Sequence, residues 1–462
     1  RPEGARRGRN SRHQDREADA VTMPTATAVR LRWQGAVAAL GAADRDALFD
    51  RTTSNDDAVR ERTAKIVARV RREGDAALRV LASELDGVTL EALEVPRASW
   101  QRALDALAPD LRRAMTRSAE NISRVHRAFL PTAQETESEP GIVVGRRPDP
   151  LGRVGVYAPG GRAAYPSSVL MGTIPARVAG VGEIIVCSPP SRDGGQPSDV
   201  VLAAAALAGA DRVFALGGAG AVAAMAYGTE SVPRVDRIVG PGNAYVAEAK
   251  IQVSSAVAID SPAGPSELLV LADDTADPRL VARELLAQAE HDPLAAVVAV
   301  MTSEAAANAV VRALGELLPA QPRAEISAAA LAGQGAVLWA ESFDDAVAFA
   351  NAYAAEHLLL VVGALDETLS RLRNVGTVFV GPSASVAFGD YMTGANHVLP
   401  TGGLARSYSG LSTLDFVRWT TYQRVTPEAA SRMAGDVGVF ADAERLPGHA
   451  MAARAWKSGG AA

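Results

Sequence analysis

From about residue 151 the chain alternates short apolar runs with alanine-rich stretches, and this alternation limits the fold more than any other feature. The runs Arg153–Tyr157, Glu183–Cys187, Arg212–Leu216, Asp236–Val239, Glu267–Ala272, Ala295–Met301, Ala336–Trp339, His357–Val362 and Gly376–Val380 read as strands. Most are apolar after their first residue, as strands buried on both faces must be, and the stretches between them can cross over as helices. The pattern predicts α/β sheets with mainly parallel strands and helices on both faces. Nine strands suit two sheets better than one, with the break in the Gly/Pro-rich segment 260–266.

The flanks differ. Val59, Thr63, Ile66, Val67 and Val70 form one helical stripe, which Gly74 ends. Asp75 is placed to cap a second helix bearing Leu78, Leu81 and Leu85 before Gly87. A longer helix after Pro109-Asp110 turns Leu111, Met115, Ile122, Val125 and Phe129 inward, with His126 beside them as a structural histidine. Beyond about residue 400 helices return. The expected class is therefore α/β: two Rossmann-like parallel-sheet domains, with a helical N-terminal segment and a small helical C-terminal tail domain. The expected division is a leader over 1–22, a helical region over 23–150, sheet domains over 151–262 and 263–399, and the tail over 400–462.

The 462 residues are 48% apolar and 22% charged, the balance of a soluble globular chain. A net charge of −6 argues against nucleic acid or an anionic membrane as partner. No run approaches the ~20 apolar residues of a membrane span. Cys187 is the single cysteine, which excludes an intrachain disulfide and fits a reducing cytoplasm. It lies in a strand-like run, so a buried, inert thiol is expected. Residues 1–22 carry six arginines and no apolar signal core, and are expected to be a disordered, dispensable leader upstream of Met23.

Three glycine-rich loops follow strands: Ala158-Pro-Gly-Gly161, Gly217-Gly-Ala-Gly220 and Gly240-Pro-Gly-Asn243. Ligands of such sheets lie at the carboxyl ends of the strands, where glycines let phosphates approach backbone N–H groups. Gly218 to Ala223 also fits the pattern G-x-G-x-x-A, and Asp236 lies near the distance expected for a ribose-binding acid. One match is weak; three loops together point to a nucleotide.

Gln288 and His291 stand three residues apart near the end of a helical stretch, on one face. They make half of a metal site, for which Asp390, His397 and His449 are further candidates. A mixed nitrogen and oxygen donor set suits zinc better than calcium or magnesium. Glu356-His357 can transfer protons. Two classes fit these residues: a zinc hydrolase in which Glu356 or His357 activates water, and a zinc-assisted NAD-dependent dehydrogenase. The glycine loops favour the dehydrogenase, because a hydrolase has no use for them.

The run Ile259-Asp-Ser-Pro-Ala-Gly-Pro-Ser-Glu267, continuing to Gln288-Ala-Glu-His291, resembles the signature of the histidinol dehydrogenase family. Tyr157-Ala-Pro-Gly-Gly161, Gly240-Pro-Gly-Asn-Ala-Tyr245, Glu356-His357-Leu358 and Asn396-His-Val-Leu-Pro-Thr401 resemble further family motifs, in order along nearly the whole chain. The resemblance implies oxidation of L-histidinol through histidinal to L-histidine with two NAD. It implies one Zn2+ per subunit held by Gln288, His291, Asp390 and His449, with His357 as base and Glu356 activating water. Ser266 and Glu444 match substrate-contacting positions, as do His357 and the metal ligands. Tyr157 and Asn243 match NAD-contacting positions. The family is a cytoplasmic homodimer whose tail completes the partner's site, so Glu444 and His449 would act in trans. Two departures stand out: Gly220 replaces a common glutamine at an NAD contact, and Ala355 replaces a frequent proline. Some relatives oxidise other polar alcohols, including sulfonated diols.

Overall fold

The computed structural model describes residues 29–51, 56–160, 164–192 and 194–458, so the leader over 1–22 lies outside the described residues. Two parallel sheets dominate. The first has strand order Arg212–Ala215, Glu183–Ser188, Arg153–Tyr157, Arg237–Val239, Ala258–Ile259. Its order reverses at Arg153–Tyr157, which pairs on one side with Glu183–Ser188 and on the other with Arg237–Val239. A crevice opens at such a reversal, at the carboxyl ends of the strands. The loops that begin at Ala158 and Gly240 stand there.

The second sheet has order Trp33–Ala36, Gly335–Trp339, Ala296–Met301, Glu267–Ala272, His357–Val361, Thr377–Val380, again all parallel. Leu268, Val270 and Ala272 join the apolar core on one face, and Leu269 and Leu271 the core on the other. This period of two explains why the strand is apolar at every position from Leu268 to Ala272. Ala258–Ile259 ends the first sheet and Glu267–Ala272 is central in the second, so the segment 260–266 runs from one sheet to the other.

The three expected helices of the N-terminal region are present as Asp57–Glu73, Asp75–Leu81 and Pro109–Ala128, with two more at Ala42–Phe49 and Arg97–Ala106. Three features there and in the tail differ from the sequence reading. Trp33–Ala36 is a strand, and it forms the edge of the second sheet. A three-stranded antiparallel sheet joins Gln134–Glu139, Ile142–Pro150 and Val417–Val425, ahead of the tail helices Pro427–Ala443 and Pro447–Arg454. Asp75 does not cap: Gly74, at φ 54°, holds the cap position. Asp75 is buried instead and accepts hydrogen bonds from Thr229 Oγ1 (2.6 Å) and Ser231 Oγ (2.5 Å).

His126 is packed inside, with Met115 and Ile122 on the same buried face, whereas Leu111 and Phe129 are exposed. Neither ring nitrogen of His126 has a hydrogen-bond partner, and burial pushes its pKa down to about 4. Cys187 is fully buried and its thiol is pushed up to about 12 by that burial, as an inert core thiol should be. Among the described residues no helix is long and apolar enough to cross a membrane.

Candidate active site

The carboxyl end of the first sheet faces the amino end of the second. Tyr157 and the Gly240 loop leave the former, while Ser266, Glu356 and His357 lie at the start of strands in the latter. The general expectation of ligands at carboxyl ends thus holds for the first sheet only. At the carboxyl ends of the second, Asp273 Oδ2 accepts from Gly363 N (2.7 Å), closing the loops on each other.

Between the sheets lies a cavity of about 1180 Å3. Tyr157, Asn243, Ser266, Gln288, His291, Glu356, His357 and Asp390 all line it, joined by Arg51, Glu267 and His397. A second cavity of about 920 Å3 continues past Tyr157, Gly160 and Asn243, which line both. Its wall is the Gly217–Gly220 loop, so Gly220 belongs to this second space.

Asn243 caps the helix Ala244–Val253: its Oδ1 accepts from Tyr245 N (3.1 Å) and Val246 N (3.2 Å). The cap consumes the carbonyl oxygen and leaves the amide nitrogen for a ligand. Gly240 has φ 115°, and a Cβ there would collide with the Tyr157 carbonyl. The loop is also tied from beneath. Lys250, fully buried, pairs with Asp260 and donates to Gly240 O (3.1 Å), while Gly240 N donates to Asp260 Oδ2 (2.8 Å). Tyr157 accepts from Gly218 N (3.0 Å), and burial raises its phenol to about 12, so it stays a neutral O–H donor.

Regular alternation would send Glu356 and His357 to opposite faces of a strand. Glu356 escapes this because it precedes the strand His357–Val361, just after Ala354 in the left-handed region at φ 54°. Its Oε2 comes within 3.3 Å of His357 Nδ1. Nδ1 also lies 3.0 Å from the Glu267 carbonyl oxygen. Two acceptors at one nitrogen require that Nδ1 carry the hydrogen. The opposite nitrogen, Nε2, is buried with no partner, and the ring stacks on Phe379 with centroids 5.9 Å apart. Burial alone would depress the His357 pKa, but the Glu356 carboxylate outweighs it and lifts it to about 9.

Glu267, which the sequence reading left without a role, lies behind the pair. It is buried, 3.4 Å from Arg51 Nε, and its Oε1 accepts from Gly402 N (2.6 Å). Burial lifts its carboxyl to about 7, against the opposing pull of Arg51. Arg51 in turn donates to the Tyr353 carbonyl (2.6 Å) and lies 3.6 Å from the Tyr353 ring centroid. A glutamate and an arginine that each stay buried are the signal that could have drawn attention to them, but burial is not visible in isolated residues.

Gln288 is buried in the last turn of helix Pro278–Ala289, and His291 follows the helix end, its N–H donating to the Gln288 carbonyl (3.3 Å). Asp390 comes from the helix Val386–Tyr391, and its backbone carbonyl lies 3.1 Å from His397 Nδ1. His397, depressed by burial, is thus a neutral ring that fixes the Asp390 backbone. Glu444 and His449 are exposed on the tail and line neither cavity of their own chain. Among the described residues no three His, Cys, Asp or Glu side chains converge as a metal site. Gln288, His291 and Asp390 offer one amide, one imidazole and one carboxylate to one cavity, a set that fits zinc but is one donor short of four. Asp236 cannot bind a ribose here: its carboxylate accepts from Arg153 N (2.8 Å), at the amino end of the first sheet, away from the glycine loops.

The family model for histidinol dehydrogenase matches residues 49–456. A histidinol dehydrogenase from Natronomonas pharaonis is 50% identical over 416 residues, 90% of this chain and 97% of that protein. Another, from Methanothermobacter thermautotrophicus, is 46% identical over 403 residues, 87% of this chain and 94% of that protein. The crystal structure of histidinol dehydrogenase from Elizabethkingia anophelis superposes with a TM-score of 0.88 at 32% identity, covering 93% of this chain and 99% of that one. Likeness on this scale reaches from the glycine loops to the tail helices, and the chain belongs to the histidinol dehydrogenase family.

Proposed function

We propose that the two connected cavities are one active site, in which this NAD-dependent oxidoreductase converts L-histidinol through L-histidinal to L-histidine, the last steps of histidine biosynthesis. The observation that carries the reading is His357. Its Nδ1 is held as a donor by Glu267 O and Glu356, so the proton that the ring gives up on deprotonation is the one on the buried Nε2, which then offers its lone pair in the cavity that His357 lines. That is the disposition of a base for an alcohol proton. Glu356, 3.3 Å from the same ring, is the group nearest to hand for activating the water that hydrates the aldehyde. Tyr157 and Asn243, which line the junction, would hold the nicotinamide end of NAD, which would supply the hydride acceptor, and the second cavity would take the rest. A hydrolase would leave that second cavity unexplained.

Gln288, His291 and Asp390 would hold the Zn2+, and His449 from a second copy of the chain would complete the set, with Glu444 of that copy and Ser266 contacting substrate. The supporting observation is that His449 and Glu444 are exposed and away from their own cavity. When bound, the metal supplies Lewis acidity toward the substrate's donor atoms. The reading includes a homodimer and a cytoplasmic setting, with residues 151–262 as the NAD side and 263–399 as the metal and substrate side. The test is NADH formation by purified, zinc-loaded protein with L-histidinol beside a sulfonated diol. Turnover of the diol alone would overturn the substrate assignment and leave the dehydrogenase chemistry standing.

A further inference from the structure

The second cavity has a polar feature that the reading above does not use. Asp86 closes the π-helical turn Ala82–Asp86, and its side chain lines this cavity beside the Gly217–Gly220 loop. Among the described residues its carboxylate has neither a hydrogen-bond nor an ion-pair partner. It is half-buried, and burial holds its pKa up at about 6. Its oxygens stay open to solvent, so a ligand that fills the cavity has to replace that solvent with donors of its own.

The surroundings say which donors. Leu78, Leu81 and Leu85 give the cavity an apolar wall next to Asp86, and Gly220 exposes backbone opposite them. An ideal Cβ at Gly220 would stand 3.2 Å from Leu81 Cδ1, so the glycine keeps the wall and the loop close without a side chain between them. A flat apolar ring against leucines, phosphates over glycines and a hydroxyl donor to a carboxylate describe an adenosine diphosphate. The cavity joins the first at Tyr157, Gly160 and Asn243, and the nicotinamide has to lie on the His357 side of that junction. The adenosine half therefore falls on the Asp86 side.

We propose that Asp86 accepts hydrogen bonds from the vicinal hydroxyls of the adenosine ribose of NAD, and thereby disfavours the 2′-phosphorylated cofactor. The proposal rests on the reading that the junction holds the nicotinamide end. A carboxylate against a 2′-phosphate sets like charges together, whereas against the diol it gains two donors. Arg192, which lines the same cavity, would otherwise favour the phosphate.

The experiment measures dissociation constants by calorimetry on the full-length, zinc-loaded protein. NAD, NADP, AMP and nicotinamide mononucleotide are each titrated into the wild type and the Asp86→Asn and Asp86→Ala variants. Melting temperature serves as the check on folding. Asp86→Ala should weaken NAD and AMP by about tenfold or more, the loss of charge-assisted hydrogen bonds. It should leave nicotinamide mononucleotide within about twofold and narrow the gap between NAD and NADP. Asp86→Asn should narrow that gap too, with a smaller loss for NAD. Unchanged NAD and AMP affinities in both variants would overturn the assignment of Asp86. A wild type that binds no NAD would instead overturn the reading on which it rests.

Discussion

Glu267 and Glu356 each hold the other's backbone. The amide of Glu267 donates to Glu356 Oε2 at 2.7 Å, and the amide of Glu356 donates to Glu267 Oε2 at 3.3 Å. The exchange spans the starts of two neighbouring parallel strands, and it sets the two carboxylates in one buried site. Arg51 is the compensating cation. Removing one member of such a set leaves the others uncompensated. Glu267→Ala should therefore cost on the order of 3–5 kcal/mol in urea unfolding, and Glu267→Gln less, because its single amide oxygen still accepts from Gly402 or from Glu356, though not from both. Equal losses for both variants would mean that the carboxylate's charge, and not its hydrogen bonds, sustains the strand starts.

On the proposed reading, the pH dependence of turnover follows from His357. A base whose pKa is lifted to about 9 keeps its proton at neutral pH, so alcohol oxidation should rise with pH as that proton is lost. Glu356→Gln removes the carboxylate that raises His357, and the rise should move to lower pH. That variant and His357→Asn separate the steps. His357→Asn should reduce alcohol oxidation by ~10²–10⁴-fold, and Glu356→Gln should impair the aldehyde step more. Half-reactions started from L-histidinol and from L-histidinal read both effects. An unmoved profile in Glu356→Gln would sever the link between the two residues.

The metal reading is checked by elemental analysis and by subunit mixing. His291→Ala should lose stoichiometric zinc, and so should His449→Ala, although the two residues do not share a cavity within one chain. Mixed and reannealed, the two inactive variants should recover about a quarter of wild-type activity, since half the dimers carry one intact site. Mixing that restores nothing while each variant still dimerises would place His449 outside the partner's site.

Acid stability should report His126. Its folded pKa near 4 lies below the ordinary value of 6.5, so the unfolded chain binds the extra proton between those limits. The contribution is complete above pH 6.5 and is lost as pH falls toward 4, amounting to about 3 kcal/mol. His126→Leu should flatten that part of the stability curve. A His126→Leu curve with the same slope as the wild type between pH 7 and 4 would refute the burial argument.

The parallel sheets were legible because most of their strands are buried on both faces and so are apolar beyond the first residue. Gln134–Glu139 was not, since all six of its residues are exposed and polar and only hydrogen bonds to Ile142–Pro150 make it a strand. Trp33–Ala36 was hidden for a related reason: four residues with a central glycine carry no periodicity. Spacing suggested Asp236 for the ribose, but distance along a chain does not tell one end of a strand from the other. Motif likeness brought the site residues into view. It did not reveal Glu267, Arg51 or Asp86, whose roles depend on burial and on neighbours remote in sequence.

The edge strand Trp33–Ala36 has a consequence for the order in which the protein can be made. Its partner in the sheet is Gly335–Trp339, about 300 residues later in the chain. At ~5–20 residues per second the ribosome needs tens of seconds to cover that distance. All five strands of the first sheet, ending at Ile259, are complete within the interval. The first sheet can thus form during synthesis while Trp33–Ala36 still has nothing to pair with. A nascent strand of only four residues, broken by Gly35 at φ 136°, is a poor template for neighbouring chains during that wait.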